Sequence, residues 1–174
     1  MKRKLLLAGL AATMALSGAA FAQDKTADKD SQKFIKAAIE ANYGEIDAGK
    51  LAQEKGKSDA VKQYGAMLVK DHSDANEKAI RAAKQLGVTP PTGSAVSAKA
   101  EYLKLKVLSG DTFDRSFAKG MVADHQNDIA EFKKASQKSD VAGVFATEIL
   151  PTLQKHLQAA QSLEQKTQAT TGSK

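Results

Sequence analysis

The chain has 174 residues, 26 Lys and Arg against 20 Asp and Glu, a formal net charge of +6, and no cysteine. Without cysteine there are no disulfides, thiolate metal sites or Cys nucleophiles. The positive charges alternate with acids and only eight Phe and Tyr follow residue 22, so no nucleic-acid-binding stripe is present and no nucleic-acid partner is expected.

Residues 1–22 read as a cleavable secretory signal peptide. Lys2, Arg3 and Lys4 form the positive start, Leu5 to Ala19 is uncharged and largely apolar, and Ala20-Phe21-Ala22 gives the small-x-small pattern a signal peptidase accepts. The run is interrupted by Gly9, Ser17 and Gly18 and is shorter than the roughly 20 apolar residues a spanning helix needs. No stable membrane insertion is therefore expected after cleavage, and the mature chain, from Gln23, is expected in the periplasm. Removing these 22 residues leaves 152, enough for one domain, and removes three positive charges, so the mature net charge is +3.

A polar leader over 23–29 precedes a first helix, capped by Asp30 or Ser31 and ending near Lys55 before Gly56. Its apolar positions, Phe34, Ile35, Ala38, Ile39, Ala41, Ile46, Leu51 and Ala52, follow the helical period. Ser58 or Asp59 caps a second helix with Val61, Tyr64, Leu68, His72, Ala75, Ala79, Ala82 and Leu86 on one stripe. The Pro90-Pro91 pair forces a loop. A short helix over about 94–108 follows, with Tyr102, Leu103, Leu105 and Leu108 as its apolar members. A third long helix starts at Asp111 or Thr112 and runs to about Lys138, with Phe113, Phe117, Met121, His125, Ile129 (or Asp128) and Phe132 inward. The last, over about 141–165, turns Val144, Phe145, Ile149, Leu153, His156, Leu157, Ala160 and Leu163 inward, with a kink expected at Pro151. The pattern predicts an all-α four-helix bundle over 30–166, with one additional short helix in the middle connection and a disordered tail over 167–174.

Two helices carry matching segments, Tyr64-x-x-x-Leu68-Val69-x-Asp71-His72 and Phe117-x-x-x-Met121-Val122-x-Asp124-His125. The third histidine, His156, has Glu148 two turns before it, and Glu45 is surrounded by Ala41, Tyr43, Ile46 and Ala48 on the first helix. If the turns at Gly56 and Lys138 share one end of the bundle, Glu45, His72, His125, Glu148 and His156 fall within about 12 Å along the axis. Histidines and carboxylates on four facing helices are the means by which bundles build internal metal sites. These five are the candidate metal ligands, with Asp71 and Asp124 behind them, for a zinc, iron or copper ion. The competing reading is a structural polar network that fixes the register of the core.

The exported leader, the Ala41–Ile46 segment, the two Asp-His helices, Gly110-x-x-Phe113-Asp114 and Leu150-Pro151-x-Leu153-x-x-His156 together resemble domain-of-unknown-function family 4142, over roughly residues 30–165. The resemblance implies an exported bacterial protein with a ferritin-like bundle and no established activity. Di-iron members of that superfamily place Glu-x-x-His on two helices. Here the second helix offers Asp71-His72, and the last separates Glu148 from His156 by eight positions, which argues against ferroxidase or oxygenase chemistry. Three functions are open at this point: a periplasmic metal binder, an envelope or stress-response interaction protein whose cluster is structural, and an enzyme. The third has least support, since no nucleophile elbow, phosphate loop or zinc-protease motif is present.

Overall fold

The computed structural model describes residues 28–169. The expected signal peptide, residues 23–27 of the leader and residues 170–174 lie outside the described residues. Five helices, and among the described residues no strand, follow in order: α1 (Lys29–Lys55), α2 (Asp59–Gln85), α3 (Val96–Lys106), α4 (Gly110–Ala135) and α5 (Val141–Ala169).

The helix ends follow local side-chain chemistry. Asp28, not Asp30 or Ser31, caps α1, accepting from the Asp30 amide at 3.1 Å while it pairs with the Lys138 ammonium. Ser58 Oγ accepts from the Val61 amide at the start of α2, and Asp140 Oδ1 accepts from the amides of Ala142 and Gly143 at the start of α5. Helix α5 runs unbroken through Pro151 to Ala169. Thr167 is buried and its hydroxyl donates to the Glu164 carbonyl, so the first three residues expected in the tail are helical.

Contacts between helix ends fix the topology. The Asp114 carboxylate of α4 accepts from the amides of Lys57 and Ser58, both at 2.9 Å, and so holds the α1–α2 turn. At the other end Asp28 meets Lys138, and Gln32 donates to the Leu86 carbonyl. Helices α1 and α5 therefore run one way and α2 and α4 the other, the long connection with α3 returning along the bundle's length. This is the up-down-down-up order of a ferritin-like bundle. It also corrects one assumption, because the turns at Gly56 and Lys138 lie at opposite ends. Mid-bundle placement survives because His72 is near the middle of α2 counted from either end.

Helix α1 packs most extensively on α2, and α4 on α5, with α2 against α5 and α1 against α4 completing the square. The α1–α2 approach is close enough to require glycine. A Cβ at Gly49 would lie 2.7 Å from the Gly65 carbonyl oxygen, and one at Gly65 would lie 2.6 Å from that of Gly49. Helix α3 buries no residue, and Leu103, one of its apolar members, is exposed. Val144 is also exposed, because it lies about 140° around α5 from the inward Ile149 at 100° per residue.

The core divides into two apolar layers. One holds Ile35, Ile39, Ala79, Phe132, Phe145 and Ile149, and the other Leu51, Val61, Tyr64, Leu68, Phe113 and Phe117. Between them sit the buried polar residues Asn42, Glu45, His72, Asn76, His125 and His156.

Candidate metal centre

The three histidines arrive in this middle layer for the same reason. Each continues an apolar stripe of period 3.6, so burying the stripe carries the ring inward. On α2 the stripe is Tyr64, Leu68, His72; on α4 it is Phe117, Met121, His125; on α5 it is Leu153, His156, Ala160. The rings are 0–3% exposed, with centroids 5.3 to 5.7 Å apart. One nitrogen from each ring lies within 4.8 Å of the other two, the only such group of ligand atoms among the described residues.

Outer partners decide which nitrogen of each ring carries a proton. His125 Nδ1–H donates to the Met121 carbonyl at 2.9 Å, one turn earlier on α4. His72 Nδ1 lies 2.9 Å from Asn42 Oδ1, an acceptor, and so is the protonated nitrogen. His156 Nε2–H donates to Asp71 Oδ2 at 2.9 Å. The remaining nitrogens, His72 Nε2, His125 Nε2 and His156 Nδ1, therefore carry lone pairs in the neutral rings. His125 Nε2 and His156 Nδ1 are 3.3 Å apart with no proton left to join them, and His72 Nε2 is buried without any partner. Lone pairs crowded in this way repel unless a cation or an added proton lies between them.

The electrostatics keep the rings neutral. Burial, followed by the neighbouring rings, holds His72 well below the usual imidazole range. Burial and His156 bring His125 down to about 4, against the opposing pull of the Met121 carbonyl. His156 is also lowered by burial, and less so because Asp71 supports its charged form. Burial alone would raise the Asp71 carboxyl, but the His156 N–H and the Lys70 ammonium outweigh it and hold it low. Neutral imidazole is the form a metal ion binds.

The expected ligands do not all meet. Glu148 is exposed and paired with Lys78 at 2.8 Å, away from the rings. Eight residues on a helix leave about 80° of rotation from His156, enough to carry Glu148 out of the core. Glu45 is buried in the layer, but its Oε2 has no partner. Burial raises its carboxyl well above the usual range, and the Asp124 and Asp128 carboxylates push it further. Asp71 stands behind His156, whereas Asp124 is at the exposed edge of α4 on the side of α1. Two residues were not foreseen. Asn42 orients His72, and Asn76 is buried one turn beyond His72 with Oδ1 unpartnered. Asn42 interrupts the apolar stripe of α1 seven residues after Ile35, and that position was the available signal.

The description "domain of unknown function (DUF4142)" matches residues 16–163, and the chain belongs to that family. Among solved structures it is similar to a DUF305 fragment from Deinococcus radiodurans, at 13% identity and a TM-score of 0.70, over 78% of this chain and 95% of that one. At that identity the likeness speaks for the helical fold alone. No curated protein matches the chain.

Proposed function

We propose that this member of the DUF4142 family is an exported, periplasmic protein that binds one divalent transition-metal ion through His72, His125 and His156. The observation carrying this reading is that one nitrogen of each ring lies within 4.8 Å of the other two, while one N–H of each ring is already committed to Asn42, Met121 or Asp71. Outer-shell bonds that fix tautomer and ring orientation are what a metal site requires. Imidazole donors suit zinc, copper or iron, and three protein ligands leave one position of a four-coordinate ion open. Export is supported by the Lys2–Ala22 pattern in the sequence.

A structural polar network is the second reading, and the Asp71 contact favours it in one respect. An added proton on His156 Nδ1, with its charge balanced by Asp71, would join His156 to His125 without any metal. Protein exported with its own leader and purified without chelator separates the two. Elemental analysis is expected to give about one zinc, copper or iron per chain, and His125→Ala is expected to lose it. Added zinc should raise the unfolding temperature of the wild type by mass action and leave that of His125→Ala unchanged. Equal destabilisation of the variant with and without metal, and no bound metal in the wild type, would establish the structural network instead.

A further inference from the structure

We propose that a divalent cation reaches the three histidines along the seam between α1 and α4, passing Asp128 and then the buried carboxylate of Glu45. This rests on the metal-binding reading above and adds to it the path by which the site fills. Rings that are 0–3% exposed cannot meet a hydrated ion directly, so one of the four seams must admit it. The α1–α2 seam is shut by backbone contact at Gly49 and Gly65. The α2–α5 seam is occupied by Lys78–Glu148, by Asp71–His156 and by the Tyr64 hydroxyl donating to the His156 carbonyl. Helices α4 and α5 pack extensively.

The α1–α4 seam differs. A groove of about 330 Å³ runs along it, between Phe34, Ala38 and Ala41 on one side and Asp128, Phe132 and Ala135 on the other. One turn beyond Ala41 on α1 is Glu45, and one turn before Asp128 on α4 are Asp124 and His125. Because α1 and α4 are antiparallel, both steps lead the same way, toward the centre. Glu45 is 6% exposed, one of its oxygens has no partner, and the charges that bear on it most are two further carboxylates. A buried, unsatisfied carboxylate is costly and calls for a cation or a proton. Lysines and acids are mixed at the outer end of the groove, so the inward pull comes from the inner acids. Oxygen donors hold late transition metals less tightly than imidazole does, so an ion stopping at Glu45 gains by moving on.

The test is stopped-flow uptake of cobalt(II) by the mature full chain, read from its visible ligand-field absorption. Glu45→Gln removes the charge with little change of shape, and Ala41→Leu fills the groove without touching any charge. Both are expected to slow association by about tenfold, Glu45→Gln by removing electrostatic focusing and Ala41→Leu by blocking the groove. Dissociation should slow as well, leaving Kd within roughly threefold of wild type, because a path affects both directions alike. Unchanged association in both variants would overturn the path. So would a weaker Kd in Glu45→Gln with unchanged association, which would make Glu45 a ligand. Ala41→Leu keeps the test decisive if Glu45→Gln fails to fold. A wild type that takes up no cobalt(II) would overturn the metal reading itself, a result distinct from metal bound at an unaltered rate.

Discussion

The two apolar layers and the polar layer between them are built from the same stripes of the same helices, yet they satisfy different demands. In the layer around Phe113, Phe117 and Tyr64, apolar rings meet one another, Phe113 stacking on Phe117 at 5.9 Å and Tyr64 meeting Phe117 edge-on at 6.0 Å. In the middle layer His72 Nε2, Glu45 Oε2, Asn42 Nδ2 and Asn76 Oδ1 are all buried without partners. The apolar layers are complete as they stand. The middle layer leaves buried polar atoms open, as the proposed metal site requires and a finished core would not.

That contrast can be broken from either side. The largest effect is expected in an apolar layer, where Phe117→Ala should cost ~3–5 kcal/mol in urea unfolding at any pH between 5 and 8. A loss below about 1 kcal/mol would remove Phe117 from the core. The middle layer should instead respond to pH in the metal-free protein. His125 is held at about 4 when folded and titrates near 6.5 when unfolded, so the unfolded chain binds the extra proton. Its stability contribution is complete above 6.5 and is lost as pH falls through 4. At about 1.4 kcal/mol per pH unit, the loss from His125 is about 3 kcal/mol. Glu45 opposes it, since a raised carboxyl destabilises the fold progressively above pH 4.5. Stability read from unfolding curves should therefore fall from pH 7 to 4 in Glu45→Gln, and fall less steeply in the wild type.

Smaller effects sharpen the comparison. Asp71→Ala strips His156 Nε2–H of its acceptor and should cost about 1–2 kcal/mol, while metal affinity drops by about 10–100-fold because the tautomer is no longer fixed. An unchanged affinity measured by competition with a chelator would mean that Asp71 only decorates the surface of α2. Smallest is a gain. Glu45→Gln should stabilise the metal-free protein by about 1 kcal/mol at pH 7 and by nothing at pH 4, measured in the same unfolding curves.

Much of this arrangement was legible in the sequence. Helical periodicity gave all five helices and put each histidine on an inward stripe, but the shared level of His72, His125 and His156 rested on a wrong pairing of turns and survived because His72 lies near the middle of α2. What escaped has specific physical causes. Which ends of the bundle coincide depends on Asp114 gripping the α1–α2 turn and on Asp28 meeting Lys138, contacts more than 50 residues apart in sequence that no local pattern encodes. Glu148 shares a helix with His156 but not its face, because a spacing of eight drifts off a 3.6-residue repeat. Asn42 carries neither charge nor apolar surface, so its role in fixing His72 is visible only once the neighbouring helix is in place.

If His72, His125 and His156 hold one ion, as proposed, their imidazoles must form its coordination shell. X-ray absorption at the zinc edge of the loaded, mature protein tests this most directly. Three imidazole nitrogens are expected at about 2.0–2.1 Å, with the imidazole signature lost in a His72→Ala, His125→Ala double variant. A zinc shell made only of oxygen, or one identical in the double variant, would contradict it.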